Sequence, residues 1–188
     1  TFRPRLPDPA RLQALLVAHP SVADISIDGR RISSRKREVA LDFGGYLKGV
    51  ALDRAAAELK RQGVNNALIN IGGNILALGS KGGTPWHVGI QSPRGSAPLA
   101  SLDLHDGEAI GTSGDYQRFF ELDGQRYCHL LDPRSGKPST ASEAVTVLIP
   151  AGPKAGMLSD ESSKPLFMAG DDWPAMAAKL GVAQVLRV

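Results

Sequence analysis

The sequence has almost no cysteine, only Cys128 among 188 residues. One thiol excludes an internal disulfide and any metal cage of thiolates alone, and leaves the redox compartment open, because exported proteins also do without disulfides. Aromatic residues are scarce too, at 5%, too few for the stacking platforms that single-stranded nucleic acids require. The net charge of +3 is scattered, with Arg30-Arg31 and Arg35-Lys36-Arg37 the only basic clusters, so the electrostatic footprint of a duplex-binding protein is missing. No apolar run approaches the roughly 20 residues of a membrane-spanning helix, and no secretory leader is recognisable in a sequence that starts at Thr1.

What is present is an ordinary globular composition, 42% hydrophobic and 22% charged, long enough to bury one substantial core. A single domain over residues 1–188 is expected. Three prolines up to Pro9 read as a surface lead-in, and the spacing of Leu12, Leu15, Leu16 and His19 predicts a short helix stopped by Pro20. Asp28-Gly29 marks a hairpin between strands near residues 22–27 and 31–34, and residues 39–43 read as a third strand. Leu52, Ala55, Ala56 and Leu59 recur at helical spacing before Gly63, which predicts a helix over residues 47–62. The run at 67–71, closed by Gly72-Gly73, reads as a buried strand. Short strands are expected at 75–78, 86–91, 99–104, 108–112, 118–122, 125–131 and 145–150, with Asp123-Gly124 as a second hairpin turn. A helix towards Ala169, another opened by Asp171 or Asp172 with Pro174, and a terminal strand over 182–188 complete the chain. Strands interrupted by a few helices, without βαβ regularity, predict an α+β fold with a mixed, largely antiparallel sheet.

Four glycine-marked loops follow strands: Gly44-Gly45, Gly72-Gly73-Asn74, Gly111-Thr112-Ser113-Gly114-Asp115-Tyr116 and Asp132-Pro133-Arg134-Ser135-Gly136. Glycine lets backbone N–H groups approach an anion, and a helix N-terminus adds partial positive charge. Gly44-Gly45 precedes a helix bearing Lys48, which makes it either a phosphate cradle or a plain turn. Lys48 and Asp53 stand five apart, a poor spacing for direct pairing, so Lys48 is read as a ligand contact in preference to half of a solvated pair. Cys128 alternates with His129 along a strand and is read as a small core residue in preference to a nucleophile.

Taken in order, Asp42-Phe43-Gly44-Gly45-Tyr46-Leu47-Lys48-Gly49 with Asp53, Asn70-Ile71-Gly72-Gly73-Asn74, Thr112-Ser113-Gly114-Asp115-Tyr116 and His129-Leu130-Leu131-Asp132-Pro133-Arg134-Ser135-Gly136-Lys137-Pro138 closely resemble the motifs of the ApbE family of FAD:protein FMN transferases, over roughly residues 38–188. The resemblance implies an ApbE-like fold and a Mg²⁺-dependent enzyme that splits the pyrophosphate of FAD and places FMN on a Ser or Thr of a partner flavoprotein carrying a Ser/Thr-Gly-Ala-Ser/Thr-like motif. It implies a periplasmic or membrane-anchored exported protein. It implies that Gly44, Gly45, Lys48, Asp53, Gly72, Gly73, Thr112, Ser113, Gly114, Asp115 and Asp132 face the flavin nucleotide. His129 matches the histidine of an HxxDP motif, and is read as the base that takes the acceptor's proton, against the alternative of a strand histidine tied to a carboxylate. Asp132 either shapes a turn with Pro133 or orients His129 or the flavin.

The sequence departs from the family pattern in two places. An Asp-x-x-x-Thr metal segment aligns with Asp160, but Lys164 stands at the threonine and Pro165 follows it, where a kink is expected. Either Asp160 with the Gly45 carbonyl holds a weakened Mg²⁺ site, or the Lys164 ammonium takes the metal's place and pairs with Asp160, which is expected to abolish or cripple the transfer. The family's N-terminal segment, with its Met-Gly-Thr-like strand, is expected to be missing ahead of Thr1. The alternative to a transferase is a degenerate flavin-binding or interaction protein of the same family, and a third reading is a domain that binds a redox partner.

Overall fold

The computed structural model describes residues 3–188, so Thr1 and Phe2 of the expected lead-in lie outside the described residues. Helix α1 (Pro9–Ala18) opens on Asp8, whose carboxylate accepts from the Arg11 amide at 2.8 Å, and ends on His19 in the left-handed region. Strands β1 (Ile25–Asp28) and β2 (Arg31–Ser34) form the expected hairpin. The expected third strand does not form. Residues 39–43 are irregular, with Leu41 and Phe43 about half exposed, because the Asp42 carboxylate takes the Gly44 amide at 2.7 Å and turns the chain. Helix α2 (Leu47–Arg61) follows, and Gly63 at φ 82° supplies the left-handed residue just beyond its end.

The core is a five-stranded antiparallel sheet in the order β13-β12-β7-β4-β3, built from β3 (Ala67–Ile71), β4 (Asn74–Leu78), β7 (Ala109–Gly114), β12 (Ala144–Ile149) and β13 (Gln184–Arg187). Between β4 and β7, strands β5 (Trp86–Gln91) and β6 (Pro98–Leu104) form a hairpin of their own. After β7, strands β8 (Phe119–Leu122) and β9 (Gln125–Cys128) pair across Asp123-Gly124, whose φ values of 52° and 76° make the tight turn expected of that dipeptide. The strand expected over 125–131 is broken at His129-Leu130. Its continuation, β10 (Leu131–Asp132), pairs with β11 (Lys137–Pro138), while the His129 amide bonds the Arg118 carbonyl at 3.1 Å. Strand β3 was expected to be buried; as the sheet's edge, bonded on one side only, it is mostly half-buried.

Alternation along the strands divides the sheet's two faces. Leu76, Ala109, Val145 and Val147 turn towards Leu52 and Ala56 of α2 and towards Leu166 and Phe167 of α3 (Ala155–Ala169), with α4 (Trp173–Leu180) closing the end through Ala177. Ile75, Ala77 and Ile110 turn the other way, onto Val88 and Leu104 of the β5–β6 hairpin. Helix α3 runs through Pro165 to Ala169, beyond the expected kink, because Leu166 and Phe167 on the next turn are wholly buried in the core. Two places bring backbone against backbone. A Cβ on Gly49 of α2 would overlap the Gly156 carbonyl of α3, and one on Gly111 of β7 would overlap the Ser159 carbonyl. Glycine is required at both, and α3 is thereby seated directly on α2 and on the sheet.

Candidate active site

A cavity of about 740 Å³ opens where the loop before α2, the β3–β4 turn, the end of β7, the β5 strand and α3 converge. Eight of the residues read as facing a nucleotide line it: Gly44, Gly45, Lys48, Gly72, Gly73, Thr112, Ser113 and Gly114. His129 and Lys164 line it as well. Gly72 and Gly73 have φ values of 57° and 89°, a conformation that L side chains rarely adopt, so the turn needs both glycines to keep its backbone at the cavity wall. The backbone nest is partly engaged within the protein: the Gly44 amide is held by the Asp42 carboxylate and the Gly73 amide by the Asn70 side-chain Oδ1 at 3.0 Å. The Thr112 and Ser113 hydroxyls bond Thr146 and Ser163, each at 2.8 Å.

Three carboxylates expected at the nucleotide lie elsewhere, each spent on a protein partner. Asp53 accepts from the Gly156 and Met157 amides at 2.8 and 2.9 Å, at the N-terminus of α3. Asp115 takes a two-pronged bond from Arg94 at 2.8 and 2.7 Å and borders a separate recess of about 420 Å³. Asp132 is clasped by the Arg134 guanidinium and by its amide, which hold its carboxyl below the usual carboxylate range and form a turn of the kind its alternative reading described. Cys128 is buried, its thiol pushed up by that burial, and its Sγ lies 3.7 Å from the Leu130 and Ser139 carbonyls, as suits a core residue.

The ring of His129 reaches the cavity with Nδ1 3.2 Å from the Arg118 carbonyl. A carbonyl can only accept, so Nδ1 carries the proton and Nε2 is left with its lone pair. Burial lowers the imidazole's pKa. The bond to Arg118 opposes that shift, and the charges of Arg118, Lys164 and Lys48 add to it. Tyr116 of the Thr112–Tyr116 motif lines the cavity too, as does Arg118, which was not singled out in the sequence, where nothing set that arginine apart from others on the surface.

Behind the cavity wall sits Asp160, wholly buried on α3. Lys164 donates to its Oδ1 at 2.7 Å and to its main-chain carbonyl at 2.6 Å, the Gly49 amide reaches Oδ2 at 3.1 Å, and Lys48 lies 3.7 Å from Oδ1. Burial pushes the Asp160 carboxyl up, but Lys164, Gly49 and Lys48 outweigh it and hold it below the usual range. Burial likewise lowers the Lys164 ammonium against the pull of Asp160. Lys48 also donates to Asn74 Oδ1 at 3.3 Å; Asn74 is fully buried and its Nδ2 has no partner.

The sequence pattern of the ApbE family matches residues 1–186. The chain belongs to the ApbE family. The match takes in the N-terminal helix and hairpin as well as the motifs from residue 38 onward. The chain is 40% identical over 175 residues to the FAD:protein FMN transferase of Rhodobacter capsulatus, covering 93% of this chain and 33% of that protein. It is 32% identical over 170 residues to the enzyme of the same name from Vibrio cholerae, covering 89% and 50%. Among solved structures, the ApbE protein of Thermotoga maritima is similar with a TM-score of 0.87 at 33% identity, covering 98% of this chain and 60% of that chain. The apo flavinyl transferase ApbE of Pseudomonas stutzeri is similar with a TM-score of 0.77 at 35% identity, covering 96% and 55%. The chain thus spans between 33% and 51% of the length of these curated relatives and a third from Klebsiella pneumoniae. Among the described residues no helix is long and apolar enough to cross a membrane.

In this ApbE-family chain Lys164 occupies the place expected to hold Mg²⁺, bonding Asp160 and packing its stem against Gly45. A Cβ on Gly45 would lie 2.7 Å from Lys164 Cδ, so the lysine stem runs hard against that glycine on its way to Asp160. Mg²⁺ asks for an octahedron of oxygens. Here the one carboxylate is already engaged by an ammonium and an amide, and among the described residues no group of three His, Cys, Asp or Glu side chains converges. These residues do not fit the ion.

Proposed function

We propose that the chain carries the nucleotide site of an FAD:protein FMN transferase. The observation that carries this reading is the cavity itself, in which a base-competent His129 faces two lysines and the glycine turns within a chain of the ApbE family. The acceptor is a Ser or Thr hydroxyl of a flavoprotein with a Ser/Thr-Gly-Ala-Ser/Thr-like motif, and the protein works as an exported, periplasmic or membrane-anchored enzyme.

In this reading the acceptor oxygen attacks the flavin-side phosphorus of FAD. A new phosphoester bond forms, the bond from that phosphorus to the bridging oxygen breaks, and AMP leaves with the electron pair. The hydroxyl proton passes to His129 Nε2. Phosphoryl transfer asks for positioning and charge neutralisation more than covalent help, and Lys48, Lys164 and Arg118 supply positive charge at the cavity. The Mg²⁺ of the sequence expectation has no step here, because the residues at Asp160 do not fit it.

The test is to incubate the protein with FAD and an acceptor protein bearing the motif, then to look for covalent flavin fluorescence and the added mass of FMN. Transfer that disappears in His129→Ala is the expected result. FAD bound tightly with no transfer to any motif-bearing acceptor would instead make the protein a flavin-binding member without transferase activity.

A further inference from the structure

The cluster at Asp160 has a composition that a metal site would not have. One carboxylate, −1, stands between two ammonium groups, +2 together, which leaves a net +1 on the cavity wall. Both lysines line the cavity, so that surplus faces whatever anion enters. The two share Asp160 Oδ1, and each has further contacts of its own. Lys164 is held by two acceptors of Asp160 one helical turn away and by Gly45, where any side chain would displace its stem. Lys48 is held between Asp160 and the buried Asn74, with its stem 3.5 Å from the Cβ position of Gly72. A divalent ion entering this cluster would have to expel an ammonium from a buried carboxylate and then sit beside the other lysine, facing like charge with a single acid as counter-ion.

We infer that the Lys164 ammonium stands in for a divalent cation, so that Asp160 holds a lysine and not a metal, and that the pyrophosphate of the dinucleotide is taken by Lys48 and Lys164 without added metal. The second half rests on the transferase reading above. A lysine ammonium is a compact point charge suited to phosphate oxygens, and tethering it to α3 through Asp160 holds it ready before the nucleotide arrives.

Two measurements test this, neither requiring an acceptor protein. The first is uptake of Mn²⁺, followed by its electron paramagnetic resonance, in the parent and in Lys164→Thr. The parent is expected to show no saturable uptake. Lys164→Thr is expected to gain one site, lost again when Asp160→Asn is added. The second is FAD affinity from quenching of flavin fluorescence, with excess EDTA or with Mg²⁺. The parent is expected to bind equally in both. Lys164→Ala is expected to bind about 10- to 100-fold more weakly in both, as loss of one charged hydrogen bond implies. Lys164→Arg keeps the charge and should remain metal-independent, and circular dichroism of each variant checks that it is folded.

Saturable Mn²⁺ binding by the parent that Asp160→Asn removes overturns the inference, as does a tenfold fall in FAD affinity on adding EDTA. If the parent binds no FAD under either condition, the transferase reading fails, and the Mn²⁺ titration still decides whether lysine has replaced the metal.

Discussion

Asp53 offers the sharpest test of how the site is built. Read from sequence, it faces the nucleotide; in the structure both its oxygens receive the second and third amides of α3. Those are the donors that a helix's own N-cap side chain normally satisfies. The residue at that position is Lys154, which makes no side-chain cap bond, so Asp53 caps α3 from the neighbouring helix. Hydrogen bonds to a charged group contribute about 1.5–3 kcal/mol each when buried, while loss of a cap residue costs about 0.5–2 kcal/mol. Asp53 is only partly buried, so Asp53→Ala is expected to lose about 2–3 kcal/mol, between those bounds. For a domain of this size that lowers the melting temperature by about 4–12 °C. Urea unfolding and calorimetry would measure it, and Asp53→Asn should lose about half as much because one acceptor survives. Lys154→Asp in the Asp53→Ala background restores a cap within α3 and should recover about 1 kcal/mol. Unchanged urea midpoint and melting temperature in Asp53→Ala would refute the capping argument and return Asp53 to the nucleotide.

Other outcomes follow from the same geometry. Because burial lowers the His129 pKa, the acid limb of transferase activity should lie below the ordinary imidazole value of about 6.5: the neutral base persists to lower pH and is lost only as pH falls through the shifted value. A pH-rate profile with its acid limb above that value would exclude His129 as the base. His129→Ala should slow transfer by about 10²–10⁴-fold, measured as initial rate at saturating FAD. Gly49→Ala, which in an open helix would add about 1 kcal/mol of stability, should instead cost about 1–3 kcal/mol, because its Cβ meets the α3 backbone, 2.7 Å from Met157 Cα. Phe167→Ala, wholly buried between α3 and the sheet, should cost about 3–5 kcal/mol in denaturant unfolding.

How far the sequence can be read is clear from particular residues. Local grammar carried well: the period of α2 with Gly63 behind it, and Asp123-Gly124 with both φ values positive, needed nothing from elsewhere in the fold. The clustering of Gly44, Gly72, Ser113 and His129 about one cavity was expected from the family resemblance alone, since no local rule says which loops meet. What local grammar missed was decided by partners. Residues 39–43 have a strand's composition, but the Asp42 side chain competes for the backbone and no neighbouring strand arrives. Strand β3 is as apolar as a central strand and becomes an edge, because only the topology says which strands have two neighbours. Asp53 and Asp115 find their partners 103 and 21 residues away, a distance at which no spacing rule operates. The Asp160–Lys164 pair was legible because its partners are four apart on one helix.

The contact of Gly49 with Gly156 has a further meaning. No side-chain layer separates α2 from α3 there, so the interval between the helices is fixed by main-chain bulk, which has no rotamers to exchange. Lys48 and Lys164 ride on these two helices. The interval between the helix backbones that carry them is therefore a gauge machined into the main chain: substitutions can repack the oily interior around it without retuning it.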